Sequence, residues 1–279
     1  MDKAVQIDMT LTMPEFQLYQ ALMYKLAGVR LSDRKHALVQ ARLKKRIHHL
    51  GLPSYHAYYK FIQQPEHADE RQECLNALTT NETFFFRHKI HWDYVLKNIV
   101  PELKHEHQFG GTVRIWSAAC SSGEEPYSVA IGLYDALCSD QRWKIHVDAT
   151  DINKQVLTAA QAAVYDTYAT QKITKLCLKK YFDCDASRQR FTVKEIIRKQ
   201  VSFYPHNLLE PRTGPRYEII FLRNVMIYFD GKSKKQVLSN VISRLKPGGY
   251  LFLGGAETLP AFHEQFTYIK PTIYRKVDK

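Results

Sequence analysis

The first third of the chain carries apolar side chains at the three- and four-residue steps of a buried helix face. This spacing predicts helices over 15–26 and 33–50, a short aromatic helix after Pro53, and another helix over 66–78. No β-like alternation interrupts these segments. The pattern therefore predicts an all-α N-terminal domain.

Beyond Gly110 the pattern changes to short β-rich runs that alternate with helical segments. Strands that alternate with helices are typical of a parallel sheet covered by helices, so the class predicted here is α/β, doubly wound and mostly parallel. The predicted strands are 113–116, 143–150, 217–222 and 250–253, with two further β-like runs over 190–197 and 200–204 and a final strand or pair over 266–276. One predicted helix follows the turn after the first of these strands and ends near residue 137. Further helices are predicted over 152–163, 174–180 and 233–245.

Composition narrows the class of protein. The chain has 279 residues, a formal charge of +12 and five cysteines without a CxxC pair. The cysteine spacing argues against a secreted disulfide framework and against a zinc site, and we expect no bound metal. The N-terminus has no apolar core of signal-peptide length, and no stretch is apolar enough to span a membrane. These features predict a cytoplasmic protein without membrane insertion, whereas the basic charge leaves nucleic-acid binding open.

The turn after the first predicted strand, 117–126, is built from small residues and leads into a helix. A dinucleotide-binding fold would carry GxGxxG here to hold a pyrophosphate. This chain instead has Glu124 and Glu125 at the helix start, and these carboxylates would repel phosphates. The turn is suited to a nucleoside ligand without phosphates. Capping of the helix by the two glutamates is the alternative.

Polar residues also end two other predicted strands, at the edge where doubly wound sheets bind ligands. Asp151 follows the second strand and could accept hydrogen bonds from ribose hydroxyls, although N-capping of the next helix would explain it equally well. Asp148 lies within the same strand and could point to either side. Arg223 and Asn224 interrupt an apolar stretch, where they would be costly to bury unless they face a site. Together the turns predict a site for a nucleoside-type cofactor.

Six sequence motifs of this chain resemble, in their order and spacing, those of the chemotaxis receptor glutamate methyltransferases, the CheR family. They cover most of the chain, and the set is very specific. The motifs are Thr79-Thr-Asn-Glu-Thr-Phe-Phe-Phe-Arg87, Trp116-Ser-Ala-Ala-Cys-Ser-Ser-Gly-Glu-Glu-Pro-Tyr-Ser128, Ala149-Thr-Asp-Ile152, Asn207-Leu-Leu209, Arg223-Asn-Val-Met-Ile-Tyr-Phe229 and Leu245-Lys-Pro-Gly-Gly249.

The resemblance implies a helical N-terminal domain with a linker over 1–88 and a Rossmann-like methyltransferase domain over 89–279. A small antiparallel β-subdomain is expected at about 180–204. The cofactor implied is S-adenosylmethionine, and the implied activity is methyl transfer to glutamate side chains of chemoreceptors, which yields methyl esters and S-adenosylhomocysteine in chemotactic adaptation.

The resemblance also implies roles for individual residues. The implied catalytic residues, which would orient the substrate carboxylate beside the sulfonium, are Arg87 and Tyr228. The implied cofactor-binding residues are Asn81, Thr83, Arg87, Glu125, Asp151, Asn207, Leu208, Asn224 and Val225. Catalysis needs no general base, because a glutamate is already ionised near neutral pH.

The basic helix offers a candidate docking surface. The range 30–46 holds seven basic residues and one acidic residue. In the family such a helix is thought to face the helical cytoplasmic domain of the receptor, which implies receptor-binding roles for Arg42, Lys45 and Arg46. A merely solvated charged face is the alternative.

One departure from the family concerns receptor tails. Some relatives bind a pentapeptide tether through a glycine-containing loop of the β-subdomain, but the corresponding stretch here, 183–190, has no glycine and is shorter. We therefore predict no dependence on a tether. Separately, we expect the protein to be a monomer. The main rival function is a nucleic-acid methyltransferase. Such enzymes usually carry an Asn/Asp-Pro-Pro-aromatic turn where this chain has Arg223-Asn-Val-Met226, so we predict no nucleic-acid partner. A sensor that only binds the cofactor is a second, weaker rival.

Overall fold

The computed structural model describes residues 9–138, 140–185, 187, 189–259 and 262–278. These residues form two units. The first unit runs to Thr80 and also includes Tyr228–Ser233, and the second comprises Asn81–Ile227 and Lys234–Lys279. Within the described residues, no helix combines the length and apolar character that crossing a membrane requires.

The first unit is helical, as the apolar spacing predicts. Its helices are α1 (Met13–Ala27), α2 (His36–His49), α3 (Tyr55–Gln63) and α4 (Ala68–Leu78). The predicted second and fourth helices each begin with a 3₁₀ turn, Asp33–Lys35 and Pro65–His67. At the start of α1, Thr12 and Glu15 form a capping box that satisfies backbone donors which the first helical turn leaves without partners.

The second unit alternates strands and helices. Its helices are α5 (Lys89–Tyr94), α6 (Val100–Glu106), α7 (Glu124–Leu137), α8 (Lys154–Ala162), α9 (Thr167–Thr170), α10 (Lys175–Tyr181), α11 (Glu195–Arg198) and α12 (Gly231–Ser243), and a π-helical segment, Val95–Ile99, joins α5 to α6. The first residues of α12, to Ser233, belong to the first unit. Its strands are β1 (Gly111–Ala118), β2 (Trp143–Asp151), β3 (Val164–Tyr165), β4 (Phe182–Asp185), β5 (Arg190–Val193), β6 (Val201–Pro205), β7 (Tyr217–Leu222), β8 (Leu245–Leu253), β9 (Phe266–Lys270) and β10 (Ile273–Lys276).

Seven strands form one mixed sheet in the order β6-β2-β1-β7-β8-β10-β9. The first five are parallel, and β10 pairs antiparallel with both β8 and β9. The central strands β1, β7 and β8 are almost continuously buried, which is the pattern of strands covered on both sides. The structure confirms the predicted α/β class and the mostly parallel sheet, and 266–276 is a pair of strands.

The small antiparallel sheet differs from its expected range of about 180–204. It consists of β3, β5 and β4, so it begins earlier, at Val164. The run over 190–197 is a strand only to Val193, because Lys194 starts the helical turn α11. The run over 200–204 is β6, which pairs in parallel with β2 and belongs to the large sheet. Likewise, the expected linker segment from Asn81 onward packs within the second unit.

Candidate active site

Four parallel strands end side by side at one edge of the large sheet. Ala118 of β1 lies opposite Thr150 of β2 and Leu222 of β7, and Leu222 lies opposite Leu253 of β8. The cofactor residues predicted from the sequence lie at or after the ends of these strands or of the edge strand β6. The exceptions are those of the segment 81–87. Ligands of doubly wound sheets bind at this edge.

Asp151 is the last residue of β2, and its carboxylate is buried among backbone donors. Its Oδ2 accepts a hydrogen bond from Ser121 N at 2.9 Å, and its Oδ1 accepts one from Asn153 N at 2.9 Å. Burial raises the pKa of Asp151, and hydrogen bonds from the backbone of Asn153, Ser121 and Ile152 oppose the rise. Asp151 is not the N-cap of α8, because Asn153 holds that position. Since a carboxylate offers about four acceptor positions, the three backbone donors leave capacity for a ribose hydroxyl.

The turn between β1 and α7 is held in an unusual backbone conformation. Ala119 and Ser121 have φ of 68° and 51°, and Gly123 has φ of 96°. At Gly123 a Cβ atom would lie 2.8 Å from the hydroxyl of Tyr165 and 2.9 Å from Cβ of Ala160, so only glycine fits. Non-glycine residues at positive φ persist only where surrounding contacts fix them, and such positions cluster at functional sites.

Glu125, in the first turn of α7, is held by two side chains. Ser117 Oγ donates to its Oε1 at 2.7 Å, and Arg223 Nη1 donates to its Oε2 at 3.0 Å. Burial raises the pKa of Glu125, while the Arg223 charge and the Ser117 hydroxyl oppose that rise. Its hydrogen bonds therefore go to side chains of the site rather than to the helix backbone. The sequence indicates that Arg223 would be costly to bury without a partner, and in the structure Glu125 is that partner.

The segment 81–87 contacts the β1–α7 turn through its backbone. Asn81 O accepts a hydrogen bond from Ser121 Oγ at 2.9 Å. The Arg87 guanidinium donates from Nη1 to Glu82 O at 3.0 Å and lies 5.6 Å from the centre of the Phe84 ring. Thr83 is half-buried in the same segment. Ser121 thus connects two parts of the site by hydrogen bonds: its backbone N donates to Asp151, and its hydroxyl donates to the segment that carries Arg87.

Asn207 and Leu208 follow β6 and lie next to the end of β2. The chain is anchored there because His206 N donates to Asp151 O at 2.9 Å. Leu208 is buried, and its carbonyl accepts a hydrogen bond from Asn240 Nδ2 at 3.1 Å. The apolar side chain of Leu208 suits contact with the face of a nucleobase, and the amide of Asn207 suits hydrogen bonding to its polar edge.

Glu257 is a residue that the sequence reasoning missed. Its carboxylate accepts three backbone hydrogen bonds, from Asn224 N at 3.0 Å, Met226 N at 2.7 Å and Gly254 N at 2.6 Å. It thereby joins the loops after β7 and β8 and fixes Asn224 at φ 58°, with half-buried Val225 next to it. The available signal in the sequence was an acidic residue in a Gly-Gly-containing turn directly after a predicted apolar strand.

Asp148 belongs to a separate buried cluster. Its Oδ2 accepts hydrogen bonds from Tyr217 Oη at 2.5 Å and from Arg212 Nη2 at 3.0 Å, and His146 Nε2 lies 3.2 Å from its Oδ1. This cluster ties the loop after β6 to β2. The orientation that the sequence left open is therefore fixed by an ion pair.

Tyr228, the second implied catalytic residue, belongs to the first unit. Its carbonyl accepts a hydrogen bond from Arg30 N at 2.8 Å, and the neighbouring Phe229 forms a β-bridge with Val29. Arg87 belongs to the second unit. Their joint role in catalysis stays a prediction.

Two of the three implied receptor-binding residues have partners inside the first unit. Arg42 Nη1 donates to Thr79 O at 2.7 Å and to Ala77 O at 3.2 Å, at the end of α4. Arg46 forms an ion pair with Glu70, with Nε 3.0 Å from Oε1. Lys45 is exposed.

The loop between β4 and β5, on which the tether prediction depends, is described only in part. Residues 186 and 188 lie outside the described residues, and Ser187 Oγ donates to Asp185 Oδ1 at 2.6 Å. The prediction of no tether dependence stays open.

Two family descriptions match this chain. "CheR methyltransferase, SAM binding domain" matches residues 81–275, and "CheR methyltransferase, all-alpha domain" matches residues 14–79. The chain is also similar to three named relatives over most of its length. These are the chemotaxis protein methyltransferases of Salmonella typhimurium strain LT2 (36% identical, 91% of this chain and 86% of that protein), Escherichia coli strain K12 (35%, 93% and 89%) and Pseudomonas aeruginosa strain PAO1 (35%, 94% and 97%, "methyltransferase 1"). With both domain matches and this coverage, the chain belongs to the CheR family of S-adenosylmethionine-binding chemotaxis methyltransferases.

Proposed function

We propose that this protein is a protein-glutamate O-methyltransferase that modifies chemoreceptors in chemotactic adaptation. The observation that carries the proposal is the carboxylate set at the strand ends, in a chain whose family match covers both units. Asp151 and Glu125 offer acceptors to a ligand that is rich in hydroxyl groups and carries positive charge. The turn that contains Glu125, 117–126, lacks the GxGxxG motif that holds a pyrophosphate.

The residues fit S-adenosylmethionine on chemical grounds. Asp151 would hold the ribose, Asn207 and Leu208 the adenine, and Asn224 and Val225 the region around the sulfonium. Asn81, Thr83, Arg87 and Glu125 would hold the amino-acid end. When bound, S-adenosylmethionine supplies an electrophilic methyl group on a positively charged sulfur.

The protein's own contribution is proposed to be orientation. A glutamate carboxylate has an ordinary pKa of about 4.3, so it is already a nucleophile near neutral pH and needs no general base. Holding two reactants in line can supply a large part of the barrier reduction. We propose Arg87 and Tyr228 as the donors that orient the substrate carboxylate.

Docking of the receptor is proposed to use the exposed side of α2. This side carries Ala37, Ala41, Lys45 and His48 at helical spacing. Arg34 is exposed in the 3₁₀ turn that precedes α2. A basic helix face attracts an acidic partner over distances of about 10 Å at moderate salt. Because Arg42 and Arg46 have internal partners, Lys45 is the strongest of the three original candidates.

One assay separates the proposal from its rivals. The protein is incubated with methyl-labelled S-adenosylmethionine and receptor-containing membranes, and the products are then treated with mild alkali. Volatile labelled methanol identifies a methyl ester and supports the proposal. Alkali-stable label in added RNA or DNA would support a nucleic-acid methyltransferase, and cofactor binding without transfer would support a sensor.

A further inference from the structure

Arg223 lies directly after β7 and is almost completely buried, with 2% of its side chain exposed. Its guanidinium donates in two directions: from Nη1 to Glu125 Oε2 at 3.0 Å and from Nη2 to Arg87 O at 2.7 Å. Within the described residues its Nε has no partner. Arg223 therefore joins the turn that carries Glu125 to the segment that carries Arg87.

The backbone around Arg87 needs such an anchor. Phe86 and His88 have φ of 54° and 66°, so Arg87 lies between two non-glycine residues in the left-handed region. This conformation persists only where other contacts fix it. Here Trp92 Nε1 also donates to Arg87 O, at 3.0 Å, and Phe86 N donates to Ser128 Oγ at 2.9 Å.

The same guanidinium fixes the direction of Glu125. One carboxylate oxygen is held by Ser117 and the other by Arg223, so the group cannot rotate without breaking a hydrogen bond. A buried carboxylate without a partner would also favour its neutral form, which binds cations poorly. Arginine suits this position because its planar fork donates to two acceptors at once, which a lysine ammonium cannot do in the same geometry.

We propose that Arg223 is a positioning residue for the amino-acid end of S-adenosylmethionine. It orients Glu125 toward the ligand's ammonium group and fixes the backbone from which the Arg87 side chain reaches the ligand's carboxylate. This inference rests on the proposed function, since it concerns the same cofactor. It predicts that Arg223 determines affinity for the amino-acid end and contributes little to affinity for the adenosine end.

The test compares two ligands by isothermal titration calorimetry. S-adenosylmethionine carries the amino-acid end, and 5′-methylthioadenosine has the adenosine and sulfur without it. In Arg223→Lys we expect affinity for S-adenosylmethionine to fall about tenfold or more, as for loss of a charged hydrogen bond, while affinity for 5′-methylthioadenosine changes less than about twofold. Trp92→Phe, which removes the other side-chain donor to Arg87 O, should shift affinity in the same direction by less.

A purely structural role would lower the affinity for both ligands together, and that result would overturn the inference. A double-mutant cycle adds a second readout: Arg223→Met should weaken S-adenosylmethionine binding much less in a Glu125→Gln background than alone, because part of its effect passes through Glu125. The double variant also removes both buried charges, so it provides a folded protein if Arg223→Lys does not fold. Full additivity would contradict the inference. Failure of the wild-type protein to bind S-adenosylmethionine would instead overturn the proposed function, and the inference with it.

Discussion

Buried carboxylates at the strand ends are the residues on which the site depends. Asp151 and Glu257 are held mainly by backbone N–H groups, and Glu125 by Ser117 and Arg223. Burial alone favours the neutral form of a carboxyl group, whereas hydrogen bonds to the anion favour the charged form. The donors to Asp151 and Glu125 therefore oppose the effect of burial, which raises the pKa of both carboxyl groups.

Asp151→Asn should weaken S-adenosylmethionine binding by roughly tenfold to a hundredfold, the cost of losing a hydrogen bond to a charged group. The amide keeps the size of the side chain but loses the anionic acceptor and introduces an NH₂ group toward backbone donors. Asp183→Asn, at an exposed position of β4, is the matched control and should leave the affinity unchanged. Calorimetric dissociation constants for the three proteins decide the matter, and unchanged affinity in Asp151→Asn would remove Asp151 from the site.

His91 predicts a pH dependence of stability. It is fully buried between His88, Phe252, Thr272 and the Arg223 charge, and burial lowers its pKa to about 3. An unfolded histidine has a pKa of about 6.5, so below that pH the unfolded state binds a proton that the folded state excludes. The contribution of neutral, buried His91 to the free energy of unfolding is therefore fully present above pH 6.5. It falls as the pH decreases toward 3, by up to about 1.4 kcal/mol per pH unit for this one proton.

Chemical denaturation between pH 7 and pH 4 measures this slope. His91→Gln should flatten it, although the variant loses packing and is less stable at pH 7. His105→Gln, at an exposed position, should keep the wild-type slope. Equal slopes in all three proteins would show that His91 does not carry the linkage.

Helix α2 presents basic side chains on two faces that differ in their surroundings. Arg42 and Arg46 face the end of α4 and Glu70, and Tyr58 donates to the same Glu70 carboxylate at 2.7 Å. These contacts stabilise the helical unit. Lys45 is exposed, and we propose it as the residue of α2 that takes part in docking.

Charge reversal separates the two faces. Lys45→Glu should leave the thermal midpoint unchanged and raise the KM for receptor severalfold, because the reversed charge repels an acidic helix. Arg46→Glu should lower the free energy of unfolding by on the order of 2 kcal/mol, because it places a second carboxylate beside Glu70. Thermal unfolding and receptor titrations at fixed cofactor measure both effects. A normal KM in Lys45→Glu would favour a merely solvated face.

The sequence predicts a helix or strand correctly where the local pattern of apolar residues determines which one forms. The helices of the first unit follow from apolar spacing, and the strand ends that carry Asp151 and Asn224 follow from the alternation of strands and helices. β5 and β6 have similar local patterns, yet they pair in different sheets, since pairing depends on distant strands. In the same way, the partners of Arg46 and Arg223 are far away in sequence, and Glu257 contacts a loop about thirty residues before it.

At the scale of the whole molecule, the family match extends over both units, 14–79 and 81–275. The charge of +12 suits an acidic protein partner, and a strongly basic stretch lies in the first unit rather than around the strand-end carboxylates. A helical unit that docks and an α/β unit that binds the cofactor would divide the work between them. We propose that this division serves methylation of receptor glutamates.

Mass spectrometry of a receptor fragment tests whether this protein methylates glutamate side chains. A purified cytoplasmic receptor fragment is incubated with the protein and S-adenosylmethionine, and its peptides are then mapped with and without mild alkali. We expect a mass increase of one methylene on defined glutamate residues, which alkali removes and which is lost in Asp151→Asn. An alkali-stable modification, or a methyl group on residues other than glutamate, would overturn the proposed function.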